Sequence, residues 1–325
     1  MFRLEDIGFY TLENARAQHA SATSPLWRCE LLLTDHCNFH CPYCRGMKNE
    51  YRGSLTFDQA VSIVDKWIEG GLRNVRFSGG EPTIWPRLAE LVEHTRRHGV
   101  KRIALSTNGS ASMKTYYELI EAGVNDFSVS LDACCASIGD MMAGNIEGIW
   151  GRVVENIKQL SMHRYTTVGV VLTPDNATDV AKIIEFSSRL GVSDIRIIPS
   201  AQWNQQLTVD IADHFLNRHQ ILNYRITNVR KGRHVRGLTE KDYNRCPLAL
   251  DDMVSVAGYH FPCIIHFREG GKPIGRLEGT IQEIREQRRE WARTHDTFQD
   301  PICKENCLDV CIDYNNTFKA LNKGL

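Results

Sequence analysis

Cys37, Cys41 and Cys44 stand in the run Cys37-Asn38-Phe39-His40-Cys41-Pro42-Tyr43-Cys44. Three thiols packed this closely on one loop suit a metal or an iron–sulfur cluster better than a disulfide. The odd number carries the chemistry. A four-iron cluster takes four ligands, so three protein thiolates leave one iron open, much as a catalytic zinc keeps one position free where a structural zinc is closed. On the triplet alone, a zinc site or a fortuitous grouping stays open as the alternative. A second group follows near the end of the chain, at Cys246, Cys263, Cys303, Cys307 and Cys311, while Cys29, Cys134 and Cys135 stand apart.

The elements that must position the first triplet are legible from hydrophobic pattern. Short apolar runs at Cys29–Thr34, Asn74–Ser78, Arg102–Ser106, Asp126–Leu131, Thr167–Thr173 and Asp194–Pro199 predict buried parallel strands. Helices are predicted between them. Thr56–Glu69 has Thr56 as N-cap and Gln59 in capping-box position and stops at Gly70-Gly71. Arg87–His98 follows Pro86, Lys114–Ala122 ends at Gly123, and Trp150–His163 and Ala177–Leu190 complete the series. Strand–helix repeats of this kind imply a parallel sheet with right-handed crossovers. The predicted fold is therefore α/β: a partial (β/α)6 TIM barrel over residues 28–224, after an N-terminal extension of residues 1–27. Beyond it, 204–223 reads as one amphipathic helix, Met253–Val256 and Phe261–Phe267 as strand-like pieces, and Thr280–Thr294 as a charged helix.

In a parallel α/β barrel, ligands bind at the C-terminal ends of the strands, and the unusual residues fall there. The cysteine loop follows the first strand. Ser78-Gly79-Gly80-Glu81-Pro82 follows the second, Ser106-Thr107-Asn108-Gly109 the third, and Ser130-Leu131-Asp132 closes the fourth. Gly79 and Gly80 remove side chains so that a ligand can approach the backbone, Glu81 offers an acceptor for an ammonium group, and Pro82 stiffens the turn. A GGEP turn alone is ordinary loop sequence; after a strand and downstream of CxxxCxxC it is informative.

With these elements in order, residues 27–200 resemble the radical S-adenosylmethionine (SAM) superfamily. The resemblance implies that Cys37, Cys41 and Cys44 hold a catalytic [4Fe-4S] cluster whose open iron is chelated by SAM. It also implies reductive cleavage of SAM to methionine and a 5′-deoxyadenosyl radical. The backbone around Tyr43 would contact adenine, and Gly79, Gly80 and Glu81 would hold the methionine amine. Ser106, Asn108, Ser130 and Asp132 would face ribose or carboxylate, with strand-end capping as their plainer alternative.

The spacing Cys246-x11-Gly258-x4-Cys263 resembles the opening of the SPASM and twitch extensions of that superfamily. Only Cys303, Cys307 and Cys311 follow, in C-x3-C-x3-C, so one auxiliary [4Fe-4S] cluster with four ligands and one spare thiol is implied. Residues 225–325 then form a small twitch-like cluster-binding domain. Its apolar content is thin for an independent core, so a cluster would hold it together. The alternative places the last three thiols on one helix face as buried small hydrophobes.

Smaller features complete the reading. Cys134 or Cys135 could donate a hydrogen atom to a substrate radical, although a pair of partly buried small residues is the plainer account. Arg225, Arg230, Lys231, Arg233 and Arg236 with His234 make a basic patch, either a phosphate contact or a solvated loop. His36 and His40 read as hydrogen-bonding or exposed, and Trp85, Trp203 and Cys29 as core.

Formal net charge is zero over 325 residues, with 42% hydrophobic and 24% charged residues, so no global pull toward nucleic acid or membrane is indicated. The N-terminus lacks a basic-then-apolar signal pattern, and no run reaches the roughly 18 apolar residues of a spanning helix. A cytoplasmic enzyme with no membrane partner is expected, oxidoreductase or isomerase in type, reduced by flavodoxin or ferredoxin. The substrate is left as a small molecule, a peptide or a modified nucleotide. The few residues before the first strand argue against a leader-binding module and so against a peptide. The non-enzyme alternative is a metal-binding scaffold with closed four-ligand sites.

Overall fold

The computed structural model describes residues 14–44 and 50–321, so the first part of the 1–27 extension lies outside the described residues. In chain order the elements are β1 (Arg28–Leu32), α1 (Phe57–Glu69), β2 (Asn74–Ser78), α2 (Leu88–Arg97), β3 (Arg102–Thr107), α3 (Met113–Ala122) and β4 (Asp126–Ser130). Then come α4 (Ala136–Met142), α5 (Ile149–His163), β5 (Tyr165–Leu172), α6 (Val180–Arg189), β6 (Asp194–Pro199), α7 (Asp213–Arg218) and α8 (Gln220–Arg230). The last part holds α9 (Leu248–Asp251), β7 (Asp252–Val256), β8 (Tyr259–Phe261), α10 (Ile264–Arg268), β9 (Gly275–Arg276), α11 (Ile281–Thr294), α12 (Pro301–Asn306) and α13 (Asp309–Leu321). All six predicted barrel strands form.

The chain packs as two compact units. One contains the described residues among 14–36, 50–103 and 236–321. In it β1 runs parallel to β2, with Arg28 opposite Asn74 and Leu32 opposite Ser78. On its other edge β1 runs parallel to β7, with Arg28 opposite Asp252. The antiparallel strands β8 and β9 follow β7. All five residues of each of β1, β2 and β7 are buried, as strands covered on both faces require. Helix α1 carries the predicted capping box of Thr56 and Gln59. Its Trp67 is fully buried and its indole N–H lies 3.1 Å from Met253 Sδ, joining α1 to β7. Truncating an aromatic at such a position costs about 3–5 kcal/mol.

The second unit contains residues 37–44 and 104–235. Here β3, β4, β5 and β6 pair in sequence, all parallel, with Ala104 opposite Asp126, Asp126 opposite Tyr165, and Thr167 opposite Asp194. Gly109, in the left-handed region at φ +80°, lets Val129 and Val153 close over the turn after β3; a Cβ there would stand 2.7 Å from Val129.

Two expectations and one alternative need correction. Residues 204–223 are not one helix: 204–212 is irregular, α7 ends at Arg218 and α8 begins at Gln220. Asp194 sets the break between α7 and α8: its carboxylate accepts the Ile221 amide at 2.9 Å and the Leu222 amide at 3.3 Å and so starts a new helix. Burial pushes this carboxyl up to about 6 despite those amides. The strand-like reading of Phe261–Phe267 fails after Phe261, because Pro262 lacks an amide hydrogen and Cys263 then caps α10. The three last cysteines do not share one helix. Cys303 lies on α12, Cys307 breaks it with extended backbone, and Cys311 lies on α13. The amides of Gly237 and Leu238 take the carbonyls of Cys307 and Lys304 and hold that break.

Candidate functional site

Within the second unit, the cysteine loop is tied down along its length. Asn38 donates to Ser110 Oγ at 2.9 Å and accepts from Asn108 Nδ2 at 2.8 Å. The His40 amide donates to the Ala143 carbonyl at 3.0 Å. Gly144, at φ +102°, passes so close that a Cβ would stand 2.8 Å from the His40 Cβ. Phe39 is buried and its amide points at Cys37 Sγ, 3.4 Å away. At the far end Tyr43 donates a short hydrogen bond to Asp132 Oδ2.

Asp132 is the post to which this end is fixed. Its Oδ1 accepts the Val171 amide at 2.6 Å, and Asn176 holds its backbone carbonyl at 2.8 Å. Burial raises its carboxyl to about 6, against the pull of Tyr43, the Val171 amide and Arg196. Burial and the neighbouring Asp132 push the Tyr43 phenol well up. Burial, Asp132 and the adjacent Cys44 and Cys37 thiols push Cys41 up to about 12. Three thiols on a fixed loop, with Cys44 and Cys37 close enough to act on Cys41, fit the donor set of a cluster with one iron left open. Metal uptake must displace the Cys41 proton, so it is favoured by rising pH.

Asn108 and Asp132 are therefore engaged with the cysteine loop itself. Ser106 is half-buried and Ser130 exposed at their strand ends. Cys134 is half-buried, its thiol raised by burial and by Cys135, and Cys135 is exposed at the start of α4.

Within the first unit, Gly79 and Gly80 have a sharper reason than ligand access. A Cβ on Gly79 would stand 2.4 Å from the Thr34 carbonyl oxygen, and one on Gly80 2.0 Å from the His36 carbonyl oxygen. The Gly80 amide donates to Thr34 O at 2.7 Å and the Glu81 amide to His36 O at 2.8 Å. The double glycine thus clamps the segment that leads directly into Cys37. Glu81 is fully buried, and its Oε1 accepts from the Thr83 hydroxyl at 2.7 Å and the Thr83 amide at 3.1 Å. Trp85 is buried, with its indole N–H on the Leu55 carbonyl at 2.8 Å, as core. The clamp onto Thr34 and His36 was not legible in the sequence; the paired glycines were its only trace.

The same unit gathers the five late cysteines, all free and half-buried. Cys246 Sγ lies 3.7 Å from Asn315 Nδ2, and Cys263 Sγ caps α10 at the His266 amide, 3.4 Å away. Burial and Cys311 push Cys246 up to about 11; burial, Cys311 and Cys246 push Cys263 up. A hydrogen bond with Cys311, then burial, push Cys307 up. Burial, Cys263 and Cys246 do the same for Cys303. Four thiols, each raised in part by neighbouring thiols, together with Cys311, which is named among those neighbours, fit an auxiliary cluster site with a ligand to spare.

The basic patch is dispersed. Arg225 and Arg236 are buried, Arg233 is half-buried and the exposed Arg230 pairs with Asp213 at 3.1 Å, which leaves Lys231 and His234 as the exposed remainder. His36 and His40 are exposed at the loop. Among the described residues no helix is long and apolar enough to cross a membrane.

Residues 31–187 match the Radical SAM superfamily. A curated relative from Metallosphaera sedula, named "Probable GTP 3',8-cyclase", is 29% identical over 178 residues, or 54% of this chain and 56% of the relative. One of the same name from Sulfurisphaera tokodaii is 30% identical over 171 residues, 51% of this chain and 53% of the relative. The chain spans about half the length of these relatives. Among solved structures, anSMEcpe with bound AdoMet aligns over 90% of this chain and 96% of its own, at TM-score 0.58 and 15% identity. SuiB from Streptococcus suis aligns over 86% of this chain and 67% of its own, at TM-score 0.58 and 13% identity. These likenesses show the fold, an open parallel α/β sheet of the partial-barrel kind, as the sequence predicts. From the CxxxCxxC loop, the GGEP turn and the match across the strands that carry them, residues 31–187 of this chain form a radical SAM domain.

Proposed function

We propose that this chain is a radical SAM enzyme that abstracts a hydrogen atom from a biosynthetic substrate and completes an oxidation or a rearrangement. The observation that carries this reading is the cysteine loop, three thiols fixed by Asn108, Ser110, Ala143 and Asp132 with no fourth protein ligand in the motif. When bound there, the cluster and SAM supply a 5′-deoxyadenosyl radical by one-electron reduction, with flavodoxin or ferredoxin as the electron donor. The chain's own residues hold and orient. Glu81 would receive the methionine amine, exchanging part of its bond to Thr83, while Ser106 and Ser130 would line the ribose side. Asn108 and Asp132 act through the loop they hold. Cys134 is the candidate hydrogen-atom donor for a rearrangement.

For the substrate, a nucleotide is favoured by the 29–30% identity to relatives named as GTP cyclases. That identity spans about half of this chain, and the C-terminal cysteine unit would contribute substrate contacts of its own. There the late cysteines would hold an auxiliary cluster, which would supply an electron acceptor or an anchor for the substrate. The test is anaerobic turnover with SAM, dithionite and GTP, following 5′-deoxyadenosine and deuterium transfer from ribose-deuterated GTP. Deuterium in the 5′-deoxyadenosine supports the nucleotide reading. Turnover of SAM without capture refutes GTP and leaves the radical chemistry standing.

A further inference from the structure

The tail unit contains a second convergence of ligand atoms beside the thiols. His266, His295, Asp300 and Cys303 each present one donor atom, and all four atoms lie within 4.8 Å of one another. Asp300 Oδ2 is 3.1 Å from His266 Nε2 and 2.9 Å from His295 Nε2. Cys303 Sγ is 3.6 Å from the same oxygen and 3.9 Å from His295 Nε2. A tetrahedral zinc has metal–N and metal–O bonds near 2.0–2.2 Å and metal–S near 2.3 Å, which sets its N···O edges at about 3.3 Å and its edges to sulfur at about 3.6 Å. The two N···O spans fall about 0.2–0.4 Å short of those values, the two sulfur spans lie at or about 0.3 Å beyond them, and the remaining two edges lie within 4.8 Å.

The surroundings fix each ligand from outside. Asp300 caps α12: its Oδ1 accepts the amides of Ile302 at 2.8 Å and Cys303 at 3.3 Å, which leaves Oδ2 facing the two imidazoles. His295 stacks on Trp291, ring centroids 4.2 Å apart and planes within 17°. His266 is wedged against Gly271, where a Cβ would stand 2.2 Å from its Nδ1, and its side chain is only 7% exposed. Three segments meet here: α10 gives His266, the end of α11 gives His295, and α12 with its cap gives Asp300 and Cys303. Two imidazoles, a carboxylate and a thiolate suit zinc in a closed, structural geometry.

We propose that His266, His295, Asp300 and Cys303 form a mononuclear zinc site that staples α10, α11 and α12. Cys303 is then the spare thiol of the five, and Cys246, Cys263, Cys307 and Cys311 are left for the auxiliary cluster. The hydrogen-bond geometry separates Cys303 from the others: its Sγ meets His295 and Asp300, whereas Cys246 meets Asn315, Cys263 caps α10 and Cys307 faces the Leu308 carbonyl. The second half of the proposal rests on the auxiliary-cluster reading; the zinc site does not.

The test uses the full chain reconstituted anaerobically with iron and sulfide, supplied with one equivalent of zinc chloride and desalted. Metal content is then read by mass spectrometry, with about eight irons and about one zinc per chain expected. Asp300→Asn keeps an acceptor for the α12 cap, and with His295→Ala and Cys303→Ser it should cut zinc at least about tenfold with iron unchanged. Cobalt(II) in place of zinc should give a thiolate charge-transfer band that Cys303→Ser abolishes. Full iron with no zinc in the wild-type protein overturns the site. Loss of about four irons from Cys303→Ser overturns the division of thiols. If Cys246→Ala and Cys263→Ala leave iron unchanged while zinc binds, the auxiliary-cluster reading fails and the zinc site stands.

Discussion

Gly80→Ala tests whether the GGEP turn acts by clamping the cysteine loop. The new Cβ would stand 2.0 Å from the His36 carbonyl oxygen, 2.5 Å from its carbon and 2.9 Å from the Asp35 carbonyl oxygen. Nothing flexible can yield, since all three are backbone atoms. Restoring even a tight contact of 3.0 Å requires a movement of about 1 Å between the turn and the residue bonded to Cys37. That movement breaks or stretches Gly80 N–H to Thr34 O and Glu81 N–H to His36 O. Two hydrogen bonds at about 0.5–1.5 kcal/mol each and overpacking of about 1–3 kcal/mol give a local cost of about 2–6 kcal/mol. The loop can relieve this strain by opening, so the global fold survives and the cost falls on the cluster site. A misplacement of about 1 Å at a reacting centre lowers rates by about 100-fold. The assay is iron per chain and 5′-deoxyadenosine formation, with Gly151→Ala as control. Gly151 lies in α5 with nothing within 4 Å of the added methyl, so that variant should be neutral or stabilised by up to about 1 kcal/mol. Gly80→Ala with normal iron and SAM cleavage within about threefold of wild type would refute the clamp.

Other perturbations probe other parts of the account. His260 is buried; its Nδ1 accepts from Arg288 at 3.2 Å and its Nε2–H donates to Gln287 at 3.1 Å, and burial, then the Arg288 charge, lower its pKa to about 3. The unfolded chain takes the proton near pH 6.5 and the folded one does not, so stability is full above 6.5 and falls as pH drops toward 3. At pH 5 the loss is about 2 kcal/mol. Denaturant unfolding at pH 7 and pH 5 should show that loss in wild type and not in His260→Gln; parallel behaviour of the two refutes it. Tyr43→Phe leaves Asp132 Oδ2 without its phenol donor and should destabilise the protein by about 1–3 kcal/mol at pH 8. The deficit should shrink below pH 6, where Asp132 is neutral, and a pH-independent deficit contradicts the pairing. Cys246→Ala and Cys263→Ala should each lower iron by about four per chain while SAM cleavage persists; unchanged iron removes the auxiliary cluster.

The barrel strands were legible because each is a short, mostly apolar run bounded by glycine or polar residues, and Thr56 and Gln59 announced α1 from their types alone. The cysteine loop and GGEP turn were legible for the same reason: residue type at short spacing carries the chemistry. What could not be read depends on distant partners. Asp194 stops one helix and starts another through Ile221 and Leu222, although 204–223 keeps helical periodicity throughout. Cys307 breaks the last cysteine run because Gly237 and Leu238 reach its carbonyl and that of Lys304 from a remote segment. Arg225 looked basic and exposed, yet it is fully buried on α8. His266, His295 and Asp300 carried no signal individually; His295-x4-Asp300-x2-Cys303 becomes informative once α10 brings His266 to it.

The central claim is that the open cluster at Cys37, Cys41 and Cys44 cleaves SAM. The direct measurement incubates the reconstituted protein anaerobically with SAM and dithionite and quantifies 5′-deoxyadenosine, methionine and S-adenosylhomocysteine. A variant with all three cysteines changed to Ala is run in parallel. The account predicts 5′-deoxyadenosine and methionine from the wild-type chain and none from the variant, which keeps the iron of its auxiliary site. Equal 5′-deoxyadenosine from both proteins, or S-adenosylhomocysteine as the product from fully iron-loaded wild type, would contradict it.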